Sequence, residues 1–203
     1  MQTLLVGVQL LDYQEPQALA GFCKCLLYFQ RQYPEVNISV MTAYRTKEYM
    51  AGRQFLTRAK KSNADYFFMT GGDIVLKATT LIRLYERQYP IISGMFVDSK
   101  GGYKPFFYRR AGAGLYRYEK QDIIRSIINI ENPGSGCLLI KKEVLDKLPC
   151  DGFSQYGTIR PGDSAFFERV YETGYRVFID SDVRVGHICK NKKIYWPKQT
   201  VYI

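Results

Sequence analysis

Short apolar runs alternate with amphipathic segments through the first half of this chain, and that alternation constrains the fold more than any other feature. The apolar runs predict four strands, at residues 3–9, 36–43, 66–70 and 91–96. Apolar residues at helical spacing predict helices, at residues 17–32, 47–61 and 78–88. Strands that alternate with helices form parallel sheets with right-handed crossovers and helices on both faces. We therefore expect an α/β fold around a mostly parallel, twisted sheet.

The second half of the chain follows a different pattern. Two runs separated by a Gly-containing turn predict a hairpin, at residues 106–110 and 114–118. Further strands are predicted at residues 126–130, 137–140, 176–179 and 183–185. Helices are predicted at residues 142–148 and 164–173, and a loop at 157–162. The tail from residue 190 is basic and aromatic without clear periodicity, and no linker or repeat divides the chain. We expect one domain over residues 1–203.

The composition is that of a folded protein, since 46% of the 203 residues are hydrophobic and 24% are charged. No apolar run approaches the ~18 residues of a membrane span, and no basic region precedes the first apolar run. We therefore expect a cytoplasmic protein. The five cysteines have no repeated spacing, which favours buried structural thiols over zinc ligands. Cys23 and Cys25 are two apart and project to different faces of their predicted helix.

The net charge of +10 indicates an anionic partner, whether nucleic acid, membrane phosphates or a phosphorylated small molecule. The positive residues are spread along the chain in pairs, at 60–61, 109–110, 141–142 and 192–193. Such scattered pairs are weak grounds for a specific nucleic-acid site. The basic pairs are also compatible with a peripheral contact to a membrane surface.

Asp73 follows the apolar run 66–69 and the pair Gly71-Gly72. In open α/β sheets, ligands bind beyond the carboxyl ends of the strands, where this carboxylate is predicted to lie. The glycines let backbone approach a ligand closely, and a carboxylate offers hard oxygen to a divalent cation. Asp73 is therefore a candidate metal ligand. The alternative is an N-cap for the helix that follows.

The one histidine, His187, follows the predicted strand 183–185. A single histidine after a strand is more often structural than catalytic. In a parallel sheet, however, His187 and Asp73 converge on one rim. One carboxylate, one imidazole and several open positions suit Mg²⁺ or Mn²⁺ shared with a diphosphate.

Asp163 directly precedes the predicted helix 164–173, and two hypotheses stay open for it. It is either an N-cap of that helix or a general base that removes a proton from an incoming hydroxyl. The patterns GxGxxG, GxxxxGK[ST] and HExxH do not occur in the sequence. Their absence disfavours a dinucleotide enzyme and a phosphate-loop NTPase.

Seven short segments occur in an order typical of one enzyme class: LLVGVQL at 4–10, GRQ at 52–54, DYFFMTGGD at 65–73, GSGCLLIKKEV at 134–144, PGDSAF at 161–166, GYRVFID at 174–180 and VRVGH at 183–187. This order resembles that of GT-A type glycosyltransferases, close to the inverting enzymes of family 2. The resemblance spans roughly residues 3–188. Two positions depart from the pattern: Gly71 stands at the first acid of the D-x-D motif, and Gly162 replaces the first acid of the later acid pair.

The resemblance implies a single-domain GT-A fold, with the nucleotide-sugar half at residues 1–100 and the acceptor half at 101–190. It implies transfer of a sugar from a nucleoside-diphosphate sugar to a glycan, protein or lipid hydroxyl, with inversion. Asp73 and His187 would hold Mn²⁺ or Mg²⁺, and Asp163 would be the base. Donor contacts are expected from Val8, Gln9, Leu10, Tyr44, Arg53, Gly71, Gly72 and Asp73. Acceptor contacts are expected from Gly136, Cys137 and Asp151.

Three alternatives stay open at this point. An inactive relative that binds sugar nucleotide or glycan is supported by Gly71 and opposed by Asp163 and His187. A basic nucleic-acid-binding protein is supported by charge alone. A sugar-nucleotide pyrophosphorylase shares the strand–helix opening, but it usually carries a Gly-rich phosphate loop that residues 7–10 lack.

Overall fold

The computed structural model describes residues 1–10, 15–44, 46–97, 105, 108–111, 114–117, 126–155, 157 and 162–197. Its strands are β1 (Thr3–Leu10), β2 (Asn37–Tyr44), β3 (Tyr66–Gly71), β4 (Ile74–Val75), β5 (Ile91–Met95), β6 (Tyr108–Ala111), β7 (Gly114–Arg117), β8 (Ile127–Ile130), β9 (Cys137–Lys141), β10 (Val177–Arg184), β11 (Gly186–Ile188) and β12 (Ile194–Tyr195). Its helices are α1 (Pro16–Gln32), α2 (Glu48–Lys61), α3 (Thr80–Glu86), α4 (Lys142–Lys147) and α5 (Asp163–Glu172).

The main sheet has seven strands in the order β2-β1-β3-β9-β5-β10-β8. β1 pairs parallel with β2 and β3, and β5 pairs parallel with β10, whereas β9 and β8 run antiparallel to their neighbours. Helices flank the sheet on both faces. The expected α/β fold with a mostly parallel sheet is therefore confirmed.

Two apolar clusters hold the helices against the sheet, one on each face. Side chains of α2, α4 and α5 share a cluster with alternate residues of β1 and β3, among them Leu5 and Phe67. α1 and α3 pack on the other face, against Leu4, Val6 and Phe68. This division follows from the two-residue period of a strand. Each fully buried large side chain contributes about 1.5–3 kcal/mol.

The segments predicted as two strands, at 176–179 and 183–185, form one strand, β10. Its pairing with β5 shifts register between Asp180 and Arg184, which marks an irregularity rather than a break. The Asp180 side chain is completely buried at this point. Its carboxylate accepts bonds from Arg87 Nε at 2.7 Å and from the backbone N–H of Asp182 at 3.0 Å. In the sequence, this buried acid looks like a break between two strands. Its partner Arg87 directly follows α3, 93 residues away in the chain, and no local pattern shows the pairing.

A second, three-stranded sheet in the order β12-β11-β4 contains elements that periodicity missed. Residues 194–195 of the apparently aperiodic tail form β12, which pairs antiparallel with β11. Gly186 allows β12 to approach β11 closely, since a Cβ at position 186 would lie 2.7 Å from Ile194 Cγ2. His187 therefore lies within a short strand and not just after one.

The predicted hairpin is confirmed in the part that the structure describes, because β6 and β7 pair antiparallel. Residues 106, 107, 112, 113 and 118 of that prediction lie outside the described residues, as do 158–161 of the predicted loop. Among the described helices, none is long and apolar enough to cross a membrane.

Candidate functional site

A cavity of about 360 Å³ opens where β1 and β3 end at the rim of the main sheet. This is the position at which open α/β sheets bind ligands. The β3–β4 turn, the first turns of α2 and α5, the approach to β9, and β11 enclose it. The lining residues are Gln9, Ala51, Gly52, Phe55, Met69, Thr70, Gly71, Gly72, Asp73, Ile74, Phe96, Ser135, Gly136, Asp163 and His187.

The cavity brings Asp73 and His187 together although they are 114 residues apart, with 3.3 Å between Asp73 Oδ2 and His187 Nε2. The other ring nitrogen, Nδ1, lies 2.6 Å from the carbonyl oxygen of Val97. A carbonyl only accepts, so Nδ1 carries a proton and donates it. Nε2 then faces the carboxylate with either a lone pair or a second proton. The predicted convergence of these two residues is observed in the structure.

Two lone pairs at this separation repel each other, so a positive charge between them would stabilise the pair. A proton on Nε2 supplies it, and so does a metal ion bound by both atoms. A histidine that donates its second N–H to a backbone carbonyl is the usual arrangement of a metal ligand. The chemistry of the site therefore fits a divalent cation. Within the described residues, no group of three or more His, Cys, Asp or Glu could hold a metal alone. Any further ligands would come from water or a substrate phosphate, as Mg²⁺ sites commonly arrange.

The turn that carries Asp73 is closely packed around the two glycines before it. Gly72 N–H donates to the Gln9 carbonyl at 2.7 Å, and a Cβ on Gly72 would lie 2.9 Å from the same oxygen. A Cβ on Gly71 would lie 2.6 Å from Asp73 Oδ1. The side chain of Asp73 thus occupies the space that a side chain at position 71 would need.

Asp163 lies across the cavity, at the first position of α5. Its Oδ2 accepts a hydrogen bond from the backbone N–H of Ser135 at 2.9 Å. The N-cap position is occupied by Gly162, whose φ of 132° suits glycine, and no side-chain cap bond is formed there. The N-cap hypothesis for Asp163 is therefore wrong, because the chain turns into the helix one residue earlier and the carboxylate faces the β9 approach.

Thr70 is a cavity residue that sequence reasoning missed. It is only 3% exposed, and its hydroxyl has no hydrogen-bond partner within the described structure. Burying a hydroxyl without a partner costs about 1–3 kcal/mol. A polar ligand in the cavity would remove that cost. The only sequence signal was a lone polar residue at the end of an apolar run.

Several expected site residues lie outside the described cavity lining. Val8 belongs to the apolar cluster on the α1 side of the sheet, and Cys137 is fully buried in that same cluster. Burial raises the pKa of the Cys137 thiol far above its ordinary value. Gln9 and Gly136 are direct neighbours of these two in the chain and do line the cavity. A shift of one residue along the strand moves a side chain to the other face of the sheet, because successive strand side chains alternate.

The remaining four expected residues lie nearer the surface. Leu10 is half-buried and packs against the α1-side cluster. Tyr44, at the end of β2, and Arg53, on α2, are exposed. Asp151 lies in an exposed turn between α4 and α5. Their donor or acceptor roles stay predictions.

The chain matches no protein-family model, and no curated protein sequence matches it. Solved structures do resemble it. The A197 protein from STIV is 16% identical, with a TM-score of 0.58 over 100% of this chain and 97% of that one. A mutant of Drosophila β-1,4-galactosyltransferase 7, in complex with manganese, UDP-Gal and xylobiose, is 14% identical. Its TM-score is 0.51, over 100% of this chain and 77% of that one. At these identities the likeness shows the fold alone, which this chain shares with that galactosyltransferase.

Proposed function

We propose that this protein transfers a glycosyl group from a nucleoside-diphosphate sugar to an acceptor hydroxyl, with inversion at the anomeric carbon. One observation carries the proposal. A pair that a cation would stabilise, Asp73 and His187, and a separate carboxylate, Asp163, line one cavity at the ligand-binding rim of a nucleotide-diphospho-sugar transferase fold. A solved structure with this fold binds UDP-Gal and manganese, which supports the donor class.

Asp73 and His187 would hold Mn²⁺ or Mg²⁺ together with the donor diphosphate. The ion would offset the negative charge that develops on the leaving diphosphate. Thr70, whose buried hydroxyl has no partner in the described structure, would hydrogen-bond the donor. The donor would then be oriented by neutral and charged groups together.

Asp163 would act on the acceptor. The hydrogen bond from Ser135 N–H fixes the orientation of its carboxylate. As the acceptor oxygen bonds to the anomeric carbon, its proton would pass to Asp163. The bond to the diphosphate would break with its electron pair on the phosphate oxygen. Attack opposite the leaving group inverts the configuration.

The acceptor would be a glycan, protein or lipid hydroxyl that reaches the cavity from the Ser135–Gly136 side. Gly136 packs closely here, since a Cβ there would lie 3.2 Å from both Ile74 and Phe96. Substitution by a larger residue would press on Ile74 and Phe96 and narrow the cavity on this side.

The test is a panel of nucleoside-diphosphate sugars, assayed with Mn²⁺ for binding by thermal shift and for release of free nucleoside diphosphate. We expect at least one donor to stabilise the protein only when the cation is present, and to be consumed when an acceptor is added. Stabilisation by no donor, with or without cation, would refute the proposal.

A second candidate function is sugar-nucleotide binding without turnover, and Gly71 favours it because only one acid remains in the turn. The same panel distinguishes the two functions. Cation-dependent donor binding without nucleoside diphosphate release, across a broad set of glycan, peptide and lipid acceptors, would support the binding protein instead.

A further inference from the structure

The exposed apolar side chains of this protein are concentrated at one end of the main sheet. In the described part of the chain, six of the eight exposed large apolar residues belong to α1, β2 and the start of α2: Leu19, Leu27, Tyr28, Val40, Tyr44 and Met50. Leu27 is 66% exposed, Tyr44 55% and Val40 50%. Single exposed apolar residues are normal, but a group on consecutive elements marks an interaction surface.

The strand at this end, β2, is the outermost strand of the seven. It pairs with β1 over all eight residues, from Asn37 to Tyr44. No described strand pairs with its other edge. Its sequence, NISVMTAY, contains no charge and no proline. Natural edge strands are usually short, charged, bulged or covered, because an open edge is a template for another strand. β8, at the opposite edge, has only four residues.

The exposed residues of β2 and α1 lie on the same face of the sheet. Ile38 packs into the cluster that holds α1, so Val40 and Tyr44, at steps of two along the strand, also face the α1 side. On α1, the exposed residues Leu19, Cys23 and Leu27 follow one another at four-residue spacing and form a line along the helix. We call these five residues the β2-edge face.

Hydrogen bonds and packing show which way this line points. Gln30, which lies seven residues after Cys23 on the same side of α1, donates to the carbonyl of Val36 just before β2. On the opposite flank, a Cβ on Gly21 would lie 2.6 Å from Leu76 O, so that flank packs against the interior. The apolar line is therefore on the outer side of α1 and towards β2. α1 contains no Asp or Glu, and its two basic residues, Lys24 and Arg31, lie beside this line and not in it.

We propose that the β2-edge face is the twofold interface of a homodimer, in which β2 pairs antiparallel with β2 of a second copy. The two seven-stranded sheets would join into one, and the apolar lines of the two α1 helices would pack together across the junction. A strand edge is complementary to itself about a twofold axis, which makes a second copy its natural partner. The uncharged strand allows this pairing although each chain carries a net charge of +10.

The apolar face supplies more than half of the area that such a contact needs. α1 has 17 residues and β2 has eight, which correspond to lengths of about 25 Å and 26 Å. With a helix layer about 10 Å above the sheet, the face covers on the order of 500 Å², and its protruding side chains add to that. Stable interfaces bury about 800 Å² per partner. Strand pairing would add backbone hydrogen bonds along the whole contact.

The two central residues of β2, Val40 and Met41, would lie beside the twofold axis when the strands overlap fully. α1 connects two parallel strands, so it runs antiparallel to β2, and its middle lies at the level of the middle of β2. Cys23 is at that middle and is exposed. The two copies of Cys23 would therefore face each other near the axis. Cys150, the other exposed cysteine, follows α4 and lies against α2, on the other face of the sheet from α1.

The test is the sedimentation velocity of the full chain and of two variants at micromolar concentration. We expect the wild type to be a dimer and Val40→Lys, which brings two like charges together at the axis, to be a monomer with an unchanged circular dichroism spectrum. Gln155→Lys adds the same charge at an exposed site away from the face and should remain a dimer. Higher salt should strengthen the dimer by screening the net charge. Donor turnover should survive in both variants, because neither residue lines the cavity.

A second measurement uses the wild-type fold. A short bismaleimide should cross-link the Cys150→Ser protein into covalent dimers through Cys23. The Cys23→Ser protein should form no covalent dimer on a denaturing gel. A monomeric wild type, a Val40→Lys protein that stays dimeric, or cross-linking through Cys150 alone would overturn the proposal. A monomeric wild type that binds anionic phosphatidylserine vesicles, with binding lost in Leu27→Lys, would assign the face to a membrane instead.

Discussion

At the scale of single residues, two contacts determine what His187 can do. The carbonyl of Val97 fixes the proton on Nδ1, and the carboxylate of Asp73 faces Nε2. A ring held in this way presents one nitrogen to the cavity and cannot exchange the roles of the two. Nε2 of His187 and the carboxylate of Asp73 thus face each other at one defined place in the cavity.

Asp73→Asn should weaken Mn²⁺-dependent donor binding by more than about 100-fold, because an amide keeps the shape of the carboxylate and loses its charge. Isothermal titration of the donor, with Mn²⁺ and with chelator, measures this. Asp151→Asn, in an exposed turn, is the matched control and should bind normally. Equal donor affinity in chelator and in Mn²⁺ for the wild type would remove the metal from the proposed site.

Asp163→Asn should lower sugar transfer by about 10²–10⁴-fold, because a general base is lost. Donor affinity and melting temperature should hardly change, since the amide oxygen can still accept the bond from Ser135 N–H. Initial rates with a saturating donor measure the effect, again with Asp151→Asn as control. Near-normal turnover in Asp163→Asn combined with a loss in Asp151→Asn would move the role of base to Asp151.

Thr70→Val and Thr80→Val should change stability in opposite directions. Both threonines are buried, at 3% and 2% exposure, but Thr80 Oγ1 accepts a bond from Lys77 N–H and Thr70 Oγ1 has no partner in the described structure. Valine at 70 removes an unsatisfied hydroxyl and should stabilise by about 1 kcal/mol, whereas valine at 80 should destabilise by a similar amount. Urea denaturation measures both. Thr70→Val should also bind the donor several-fold more weakly, and unchanged donor affinity would exclude Thr70 as a donor contact.

At the scale of secondary-structure elements, burial decides how much an ion pair contributes. Arg87–Asp180 and Lys142–Asp146 are both 2.7 Å long. The first ties α3 to β10 through a carboxylate with 0% exposure, whereas both partners of the second are exposed, at 36% and 53%. Removing one partner of a buried pair leaves an uncompensated charge in the interior. When one partner of an exposed pair is removed, the remaining charge stays solvated by water.

Arg87→Met should therefore destabilise the protein by about 3 kcal/mol, reduced somewhat because Asp182 N–H still bonds Asp180. Lys142→Met, the matched control on α4, should cost about 0.5 kcal/mol or less. Denaturation midpoints, measured at an unchanged m value, give the change in the free energy of unfolding for both variants. Similar losses in the two variants would show that burial of Asp180 does not govern the α3–β10 contact.

At the scale of the whole molecule, the layers of helix and sheet divide the five cysteines into two groups. Cys23 and Cys150 are exposed, while Cys25, Cys137 and Cys189 are buried. Desolvation raises the pKa of the Cys25 thiol from 9.0 to about 11. A thiol with so high a pKa carries almost no reactive thiolate at neutral pH.

Brief alkylation at pH 8 should therefore label two cysteines in the native protein, and all five in urea. Peptide mass spectrometry identifies them. The raised pKa also has a consequence for stability: the unfolded thiol ionises first, so stability should fall as the pH rises from about 9 towards 11. Labelling of Cys25 at the rate of Cys23 in the native protein would contradict the described packing of α1.

Local patterns determined the order of strands and helices, the mostly parallel sheet of the first half, and the candidates Asp73, His187 and Asp163. Periodicity and the chemistry of single side chains are properties of neighbouring residues, so a sequence displays them directly. The structure then placed those three residues around one cavity. It also showed that Asp163 is not an N-cap.

Only the tertiary structure decided the direction of β9, the continuity of β10 and the pairing of β12 in the tail. It also decided that Thr70 has no hydrogen-bond partner among the described residues, and that Val8 and Cys137 face away from the cavity while Gln9 and Gly136 line it. A fully apolar run such as residues 137–140 fits a buried strand of either direction. The choice depends on hydrogen bonds to residues far away in the chain, and no local pattern contains them.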